Sequence, residues 1–489
     1  MVVLRILVFT HRRSRHSIVA YPETIGLRNF SMSKTPNLTA ILTATCLGFL
    51  VVQLDVSVVN VGLGALKSAF GTNLTGLQWV INSYALVFSA LLILGGGFGD
   101  KWGAKGVFVF GFAVFTLASL GCGLATSMPM LIAMRCIQGL GAAFLIPTSL
   151  TLIRQNFTDP DKRRSAVALW GACGGIALAA GPVLGGVMIE HMGWRSVFLI
   201  NIPLGLLAIF LTLRCAPESP RTDSKVDVYG QISIALCLAL LTYGLTEASS
   251  LGFSLIPLTS MGLAALALAL FIVVEKRARA PMLPARLARN KVLLAMMFTG
   301  AVINLTFFGV VFVLSIYFQT ILHYDAVHTG LAFIPLTAVM TISSLTSARI
   351  ARHVSALKIM TAGLAIQAVG FLMLSHVGPE SSGWLLNCAL IIGGMGSATT
   401  VPSMNNSMLS AVSQEDAGMA SGLMSSARQL GGVIGVAVFG ILISQEGANA
   451  FASGMSVAML VCVGALVVCI LTNLKLVRPR ASVAQAAAR

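Results

Sequence analysis

Charged side chains are scarce in this sequence. Only 10% of its 489 residues are Asp, Glu, Lys or Arg, against about 25% in a soluble globular domain, whereas 56% are hydrophobic. A water-soluble fold of this length would not have enough polar side chains to cover its surface. Lipid removes that requirement because apolar groups can then face outward, so the composition indicates an integral membrane protein.

Signatures of several other protein classes are missing as well. The nine cysteines include no Cys-x-x-Cys pair and lie mostly in apolar runs, so we expect small buried side chains and no metal site. There is no phosphate-binding loop ending in Gly-Lys-Ser/Thr, and no cofactor is expected. The net charge is +16, but the basic residues form short clusters between apolar runs, which argues against a nucleic-acid partner.

Long apolar runs dominate the chain. Fourteen of them approach the 20 or so residues needed to cross about 30 Å of hydrocarbon. They are too long and too uniformly apolar for membrane strands, so they predict helices. The approximate spans are 38–62, 76–98, 105–126, 128–153, 164–189, 195–213, 228–247, 252–274, 293–318, 328–350, 357–377, 384–409, 418–444 and 452–474.

The distribution of positive charge supports this count. With both termini in the cytoplasm, 28 of the 32 Lys and Arg residues lie on the cytoplasmic side. Lys67 and Arg195 lie opposite, while Arg135 and Arg428 fall inside helices. An error of one helix would destroy this alternation. The sequence therefore predicts a multi-pass protein of a bacterial cytoplasmic (inner) membrane with both ends in the cytoplasm.

The first residues of the chain allow three interpretations. A basic patch at residues 12–16 lies beside a short apolar run, and no signal-peptide cleavage pattern follows. The segment could be a membrane-surface arm, a transit-like leader, or sequence that precedes a true start at Met32. We favour the third interpretation.

A glycine-rich motif stands between the second and third predicted helices. Residues 96–105 read GGFGDKWGAK, in which glycines allow a tight turn and the charges offer breakable contacts to neighbouring helices. An ordinary polar loop is the alternative. The motif resembles the cytoplasmic loop signature of the major facilitator superfamily and departs from it at Ala104, where a basic residue is usual. On this resemblance the gate residues are Gly96, Asp100, Lys101, Gly103 and Lys105.

Further motifs follow in the order found in the fourteen-helix drug:proton antiporters of that superfamily. Residues 54–61 (LDVSVVNV) resemble their first-helix element, although Gly64 stands where they have a proline. Residues 135–139 (RCIQG) resemble their Arg-x-x-Gln-Gly element. The antiporter signature Gly-Pro-x-x-Gly-Gly is matched by Gly181, Pro182, Gly185 and Gly186, and similar subgroup elements stand at 194–203 and 428–432.

The resemblance covers roughly residues 38–474 and implies a fold as well as a family. The expected fold is all-α and membrane-embedded, with two six-helix bundles and two inserted central helices; exporters of the methylenomycin-resistance type are a plausible closer group. An offset of 251 residues supports two related halves, since it separates Lys101 from Arg352 and Gly181 from Gly432. The predicted domains are a basic cytoplasmic segment 1–37, a first bundle 38–214, an insertion with linkers 215–291, a second bundle 292–474 and a cytoplasmic tail 475–489.

Asp55 is the residue that says most about mechanism. An ionised carboxylate inside a membrane helix is unfavourable unless it is paired or protonated, so an acid that alternates between wet and dry surroundings can carry a proton. A packing or helix-capping role is the alternative. Arg135 is predicted to lie at the same depth, roughly 10 Å below the outer surface, where it could exchange an ion pair with Asp55 for protonation.

Polar and aromatic residues inside the predicted helices suggest a substrate cavity. Amide and aromatic groups suit amphipathic ligands, and the absence of a second deep carboxylate favours neutral, anionic or singly charged ones. Arg428, near mid-depth, is expected to meet either a substrate oxygen or a backbone carbonyl. The predicted lining is Asn82, Tyr84, Gln138, Asn304, Phe308, Arg428 and Gln429.

The sequence therefore predicts proton-coupled efflux of small amphipathic molecules, such as drugs or antibiotics, by alternating access. The expected partners are the substrate, protons and the lipid bilayer, and a monomer is expected to suffice. A proton-coupled importer and an uncoupled facilitator on the same fold remain alternatives. A membrane-embedded enzyme is disfavoured because the short, basic loops offer no polar or acidic cluster.

Overall fold

A computed structural model describes residues 37–221, 228–278, 283–351, 353–413, 416–445 and 447–477. The chain contains no strand in these ranges, and fourteen of its helical segments are long and apolar enough to cross a membrane. The predicted number of spans and the predicted fold class are confirmed. The basic segment up to residue 36 with Met32, Arg352 as the counterpart of Lys101, and the tail beyond residue 477 lie outside the described residues.

The first half contains six spans. Several begin where a polar residue caps the helix: the side chains of Asn37, Asn73 and Ser127 each accept a hydrogen bond from a first-turn backbone N–H. A short helix, α2, follows the first span. The helices are α1 (Leu38–Val61), α2 (Leu63–Phe70), α3 (Leu74–Trp102), α4 (Ala104–Gly123), α5 (Met128–Asn156), α6 (Pro160–Met192), α7 (Ser196–Leu199) and α8 (Asn201–Cys215).

Two inserted spans and a short linker helix precede the second half. One span of that half is broken at Phe333, because Pro335 in the first turn of the next helix has no N–H to continue the hydrogen-bond ladder. The insertion is α9 (Val228–Leu251) and α10 (Leu255–Arg277), followed by α11 (Ala285–Ala288). The second half is α12 (Lys291–Ile316) with a π-helical turn (Tyr317–Ile321), α13 (Ala326–Ala332), α14 (Ile334–Ile350), α15 (Ala356–Leu374), α16 (Gly383–Ser410), α17 (Ala417–Leu442) and α18 (Ala448–Leu476).

Equivalent helices pack in the same way in the two halves. Helix α1 packs against α6, and α12 packs against α17. A methyl group added to Gly181 of α6 would lie 2.5 Å from Ser57 of α1, and one added to Gly432 of α17 would lie 2.8 Å from the Phe308 ring of α12. Both residues of the second contact follow those of the first by 251 positions (432 − 181 and 308 − 57). The offset read from the sequence thus recurs in the helix packing.

The inserted helices are attached to the first half. Helix α9 packs against both α3 and α17, whereas α10 packs against α9. In the described part of the chain, the side-chain hydrogen bonds of α9 to the bundle all involve α3. They include Asn82 Nδ2 to Thr246 Oγ1 (3.1 Å), Trp79 Nε1 to Glu247 Oε1 (2.9 Å) and Ser249 Oγ to Gln78 Oε1 (2.7 Å).

The two ends of the helix bundle differ in charge. We call one end the basic end, because α3, α5, α8 and α10 each carry a basic residue in their last turn there. We call the opposite end the far end; it carries Lys67 and Arg195. The residues that define the basic end are Lys101, Arg154, Arg214, Lys276 and Arg277.

The motif at residues 96–105 is helical and not a loop. Gly103 alone separates α3 from α4, with a φ of +94° that favours glycine. Close packing on α5 supports the helix through the start of the motif: a methyl group on Gly95 would lie 2.2 Å from the carbonyl oxygen of Ala143. The sequence analysis ended this span at residue 98 and placed the motif between two helices, whereas α3 continues to Trp102, because helix packing outweighs the low helix propensity of glycine here.

We expect Gly431→Ala in α17 to destabilise the protein. Its methyl group would lie 2.0 Å from the carbonyl oxygen of Ala301, a backbone atom that cannot rotate away. Overpacking of this kind costs about 1–3 kcal/mol, more than the gain of roughly 0.5–1 kcal/mol from replacing glycine in a helix. The measurement is the unfolding midpoint of the purified protein in detergent.

Gly171→Ala in α6 is the matched control for that experiment. No atom lies within 4 Å of the added methyl group, so the melting temperature should stay the same or rise. If the two variants unfold at the same temperature, α12 and α17 are packed less tightly than described.

Candidate functional site

A buried ion pair joins α1 and α5. Asp55 and Arg135 are each 1% exposed, and the guanidinium Nη1 donates a hydrogen bond to the carboxylate Oδ2. Asp55 lies six residues before the end of α1, and Arg135 lies seven residues after the start of α5. Both therefore stand at a similar depth below the far end, as the sequence analysis expected, and the structure brings them into contact.

Neutral donors complete the surroundings of the carboxylate. Gln138 Nε2 donates to Asp55 Oδ1 at 2.8 Å, and Asn201 Nδ2 approaches the same oxygen at 3.3 Å. Gln138 Oε1 in turn accepts from Arg135 Nη1 at 2.8 Å, and Gln138 Nε2 also lies 2.9 Å from Ser119 Oγ. Four helices, α1, α4, α5 and α8, thus meet at one carboxylate that has little contact with solvent.

This network differs from the predicted site at three residues. Gln138 was expected to line the substrate cavity. It lies instead one turn from Arg135 on the same face of α5, and like Arg135 it donates a hydrogen bond to Asp55. Ser119 and Asn201 had been given no role. Asn201 offered a signal that could have been used, since its polar amide stands inside the predicted apolar span 195–213.

Arg135 connects the ion pair to a cavity. Its Nε donates to the carbonyl oxygen of Val80 at 3.0 Å, and its Cζ lies 4.3 Å from the centroid of the Tyr84 ring. The guanidinium is therefore held between Asp55 on one side and an aromatic residue of the cavity wall on the other. Any change in the charge of Asp55 acts on a group that also faces the cavity.

The cavity lies between the two halves, where α1, α3 and α5 of the first half face α12 and α17 of the second. Its wall is mostly apolar, with Arg135, Asn82, Tyr84 and Gln429 as polar members. In the described chain, the buried Asn82 Oδ1 and Tyr84 hydroxyl have no hydrogen-bond partner. An unpaired buried polar atom is unfavourable, so these two atoms are suited to bind polar groups of a ligand.

Four of the seven residues predicted to line a cavity do so: Asn82, Tyr84, Phe308 and Gln429. Asn304 and Arg428 do not belong to the wall of this cavity. Arg428 Nε donates instead to Asn304 Oδ1 at 3.3 Å. This pair lies one helical turn closer to the basic end than the cavity-lining Phe308 and Gly432.

The Gly-Pro-x-x-Gly-Gly segment of α6 packs closely against the helix that carries Asp55. A methyl group on Gly181 would lie 2.5 Å from Ser57, and one on Gly185 would lie 2.7 Å from Val58. Both neighbours follow Asp55 within one turn of α1. Only glycine allows α6 to approach the acid-bearing helix this closely.

The same segment also closes the contact between the halves at the far end. A methyl group on Gly186 of α6 would lie 2.4 Å from the carbonyl oxygen of Ala326 in α13. One on Gly330 of α13 would lie 2.3 Å from the carbonyl oxygen of Pro182. We call this backbone-to-backbone contact, formed by Pro182, Gly186, Ala326 and Gly330, the far-end seam.

Toward the basic end the same face of α6 is uncovered. Gly171 and Gly175 share a helical face with Pro182 and Gly186, yet a methyl group on either would meet no atom within 4 Å. The regularly spaced glycines Gly171, Gly175, Gly181 and Gly185 therefore do not form one continuous contact surface. The structure separates them, since Gly181 and Gly185 face α1.

The glycine-rich motif after α3 contacts the segment that follows α8. Lys105 Nζ pairs with Glu218 at 2.9 Å, and the backbone N–H of Lys105 donates to Ser219 Oγ at 3.0 Å. The Glu218 side chain is 86% exposed, so the ion pair adds less than about 1 kcal/mol to stability. Asp100 and Lys101 lie exposed on the last turn of α3. The role of these residues as a gate stays a prediction.

An acidic cap starts α13, the helix that forms one side of the far-end seam. The backbone N–H of His328 donates to Asp325 Oδ1 at 2.7 Å, and this hydrogen bond lowers the pKa of Asp325. Because the pKa is lowered on folding, the cap contributes fully above the unfolded pKa of about 3.9 and is lost as the pH falls through the folded value. At neutral pH the start of α13 is therefore held in place.

We expect Gly186→Val to open the far-end seam. The larger side chain cannot fit where a single methyl group already lies 2.4 Å from the backbone of α13, so the helices must separate by at least about 1 Å to reach ordinary contact. Spin labels at Glu190 and Leu331, in a variant without native cysteines, report the distance between α6 and α13 by double electron–electron resonance.

Gly175→Val is the control on the same helix. It carries the same change in helix propensity but has no neighbour within 4 Å, so the distance between the labels should not change. Equal distances in both variants would contradict a tight seam.

Proteins of similar sequence are known. The model of the Major Facilitator Superfamily matches residues 45–436. The methylenomycin A resistance protein of Bacillus subtilis is 34% identical over 406 residues, covering 83% of this chain and 87% of that protein. The cephamycin export protein CmcT of Amycolatopsis lactamdurans is 38% identical over 421 residues, with 83% and 85% covered. The multidrug resistance protein Stp of Mycobacterium tuberculosis is 32% identical over 415 residues, with 84% and 77% covered.

Solved transporters share the architecture. A bacterial homologue of the human lysosomal transporter Spinster, in an inward-facing and unoccupied conformation, has a TM-score of 0.66 at 15% identity, with 92% of this chain and 99% of that chain covered. A peptide transporter POT in complex with sulfate also has a TM-score of 0.66, at 14% identity, with 88% and 94% covered. At these identities the likeness shows the fold alone.

Proposed function

The chain belongs to the Major Facilitator Superfamily and is a transporter rather than an enzyme, and on this premise we propose that it exports small amphipathic molecules in exchange for protons. Its relatives include proteins named for methylenomycin A resistance, cephamycin export and multidrug resistance, which supports drugs or antibiotics as substrates. A monomer suffices in this proposal, because a single chain supplies both halves and the cavity between them.

The observation that carries the proposal is the position of Arg135. Its guanidinium bonds to the buried Asp55 carboxylate and also forms part of the cavity wall. Protonation of Asp55 removes the charge that balances the arginine, and a buried charge without a partner is strongly unfavourable. The proton and the transported molecule therefore act on one cation, and antiport requires that kind of competition.

A path from the acid to the far-end seam supports alternating access. Asp55 shares α1 with Ser57 and Val58, which rest against the glycines of α6, and α6 meets α13 at the seam. A shift of α1 on protonation would be passed to α6 through the short side chains of Ser57 and Val58, which rest directly on the glycine backbone. We propose that the basic end faces the cytoplasm of a bacterium, so that the molecule as described opens toward the cytoplasm.

The proton gradient supplies sufficient energy. One charge moving through 100 mV of membrane potential releases about 2.3 kcal/mol, which supports roughly fifty-fold accumulation of a neutral substrate. A proton-coupled importer and an uncoupled facilitator remain the alternatives on this fold. The direction of transport in inverted membrane vesicles separates the first from an exporter, and insensitivity to an uncoupler identifies the second.

We expect Asp55→Asn to abolish proton-driven export while leaving ligand binding. The amide keeps the shape of the side chain but cannot alternate between a charged and a neutral form. The measurement begins with a growth-inhibition panel of antibiotics in an efflux-deficient host that expresses the chain, with an uncoupler as reference. For each protected compound, the variant should lower resistance to the level of the host without the chain.

Asp161→Asn provides the matched control. Asp161 is an exposed acid in the first turn of α6 whose ion pair with Arg164 lies at the surface, so resistance should be unaffected. Full resistance in the Asp55→Asn strain would exclude this residue as the proton carrier.

A further inference from the structure

Arg428 is an arginine inside the membrane without an acidic partner. It lies eleven residues into α17, or about 17 Å along the helix from its start, which places it well inside the hydrocarbon region. No carboxylate of the described residues lies within ion-pair distance of it, and its hydrogen bond goes to the neutral Asn304. Arg135, in contrast, is balanced by Asp55.

The position of Arg428 relates it directly to the cavity. Helices α12 and α17 both run from the basic end to the far end, and Asn304 and Arg428 each stand four residues before a cavity-lining residue, Phe308 and Gly432. Four residues correspond to one turn, or roughly 6 Å. The arginine and the amide therefore lie where the cavity points toward the basic end.

Unused donors accompany the guanidinium at this level. Arg428 is partly buried, and one of its N–H groups donates to Asn304 Oδ1. The amide nitrogen of Asn304 donates to no described residue. Guanidinium and amide donors without acceptors suit an anion with several oxygen atoms.

The charge balance of the region also favours an anion. The carboxylate of Asp55 is already matched by Arg135, so the described membrane interior around the cavity carries one uncompensated positive charge, that of Arg428. A cationic ligand would meet repulsion there and no free acid. An anionic group would gain a charge-assisted hydrogen bond and balance the arginine.

We propose that Arg428, with Asn304, forms a subsite for the carboxylate, or a similar oxyanion, of an amphipathic acid whose apolar body lies toward the mostly apolar cavity between the halves. This inference rests on the proposed function, since it names the substrate class of that transport site. It makes acids the preferred cargo over the corresponding amides and over cations. Arg428 acts by direct contact with the anionic group.

The test compares two probes that differ only in the anion. Pyrene-1-butyrate is a carboxylate with a bulky apolar body, and pyrene-1-butyramide is its neutral counterpart. Binding to the full chain in phosphatidylcholine nanodiscs is followed by energy transfer from tryptophan to pyrene, with empty nanodiscs and excess non-fluorescent acid defining the specific signal. The native chain should bind the acid at least about tenfold more tightly than the amide, as expected for one charge-assisted hydrogen bond.

Arg428→Gln should remove this preference by weakening binding of the acid while changing binding of the amide less than about twofold. Arg428→Lys, which keeps the charge without the planar fork, should retain part of the preference and serves if the glutamine variant does not fold. Arg349→Gln removes one exposed charge at the end of α14 in the same half, and it should leave the preference unchanged.

Three outcomes would overturn the subsite. A native chain that binds both probes equally, or neither, has no anion preference. A preference that survives in Arg428→Gln lies elsewhere in the molecule. Binding in nanodiscs needs no proton gradient, so loss of the antiport mechanism in the Asp55→Asn growth experiment and loss of the anion subsite here are separate results.

Discussion

The pairing of one buried carboxylate with one buried guanidinium is the interaction on which the helix arrangement of the first half depends. A buried carboxylate without partners is strongly unfavourable in hydrocarbon, so α5 and α8 converge on α1 to supply Asp55 with its partners. The second half does without such a centre: 251 positions after Asp55 stands Thr306, which accepts a hydrogen bond from Gln367 at 3.1 Å. The two halves share their helix packing but differ in their ionisable groups, because only the first half has a carboxylate that can hold a proton at this position.

Close contact between helix backbones determines how easily the helices of this fold can separate. Where side chains interdigitate, helices can separate only if rotamers change, whereas the far-end seam meets through glycines and carbonyl oxygens. Such a contact is tight when closed and has no side chains to disentangle when it parts. The glycines of α6 serve two neighbours at once, since Gly181 and Gly185 face α1 and Gly186 faces α13. A movement at the contact between α6 and α1 therefore also moves the contact between α6 and α13.

Much of the fold could be predicted from the sequence, because hydrocarbon thickness and positive charge are read directly from linear runs of residues. The similar depth of Asp55 and Arg135 followed from counting along two antiparallel helices. The sequence analysis failed where the role of a residue depends on the direction in which its side chain points from the helix. Gln138 points with Arg135 toward Asp55, and Asn304 accepts a hydrogen bond from Arg428. It failed again in the glycine-rich motif, where glycines suggested a break at residue 98, yet α3 packs on α5 at Gly95 and Gly99 and continues to Trp102.

The inserted helices change how a molecule dissolved in the bilayer can reach the interior. A transporter built from two bundles has two lateral boundaries where lipid could touch both halves. Helix α9 covers one of them by packing on α3 and α17, and its side-chain hydrogen bonds to α3, among the described residues, tie it to the first bundle. The other boundary runs along α6 and α14, where Gly171 and Gly175 have no neighbour. Among the described residues, the insertion therefore leaves this boundary uncovered, and at Gly171 and Gly175 the surface of α6 is bare backbone.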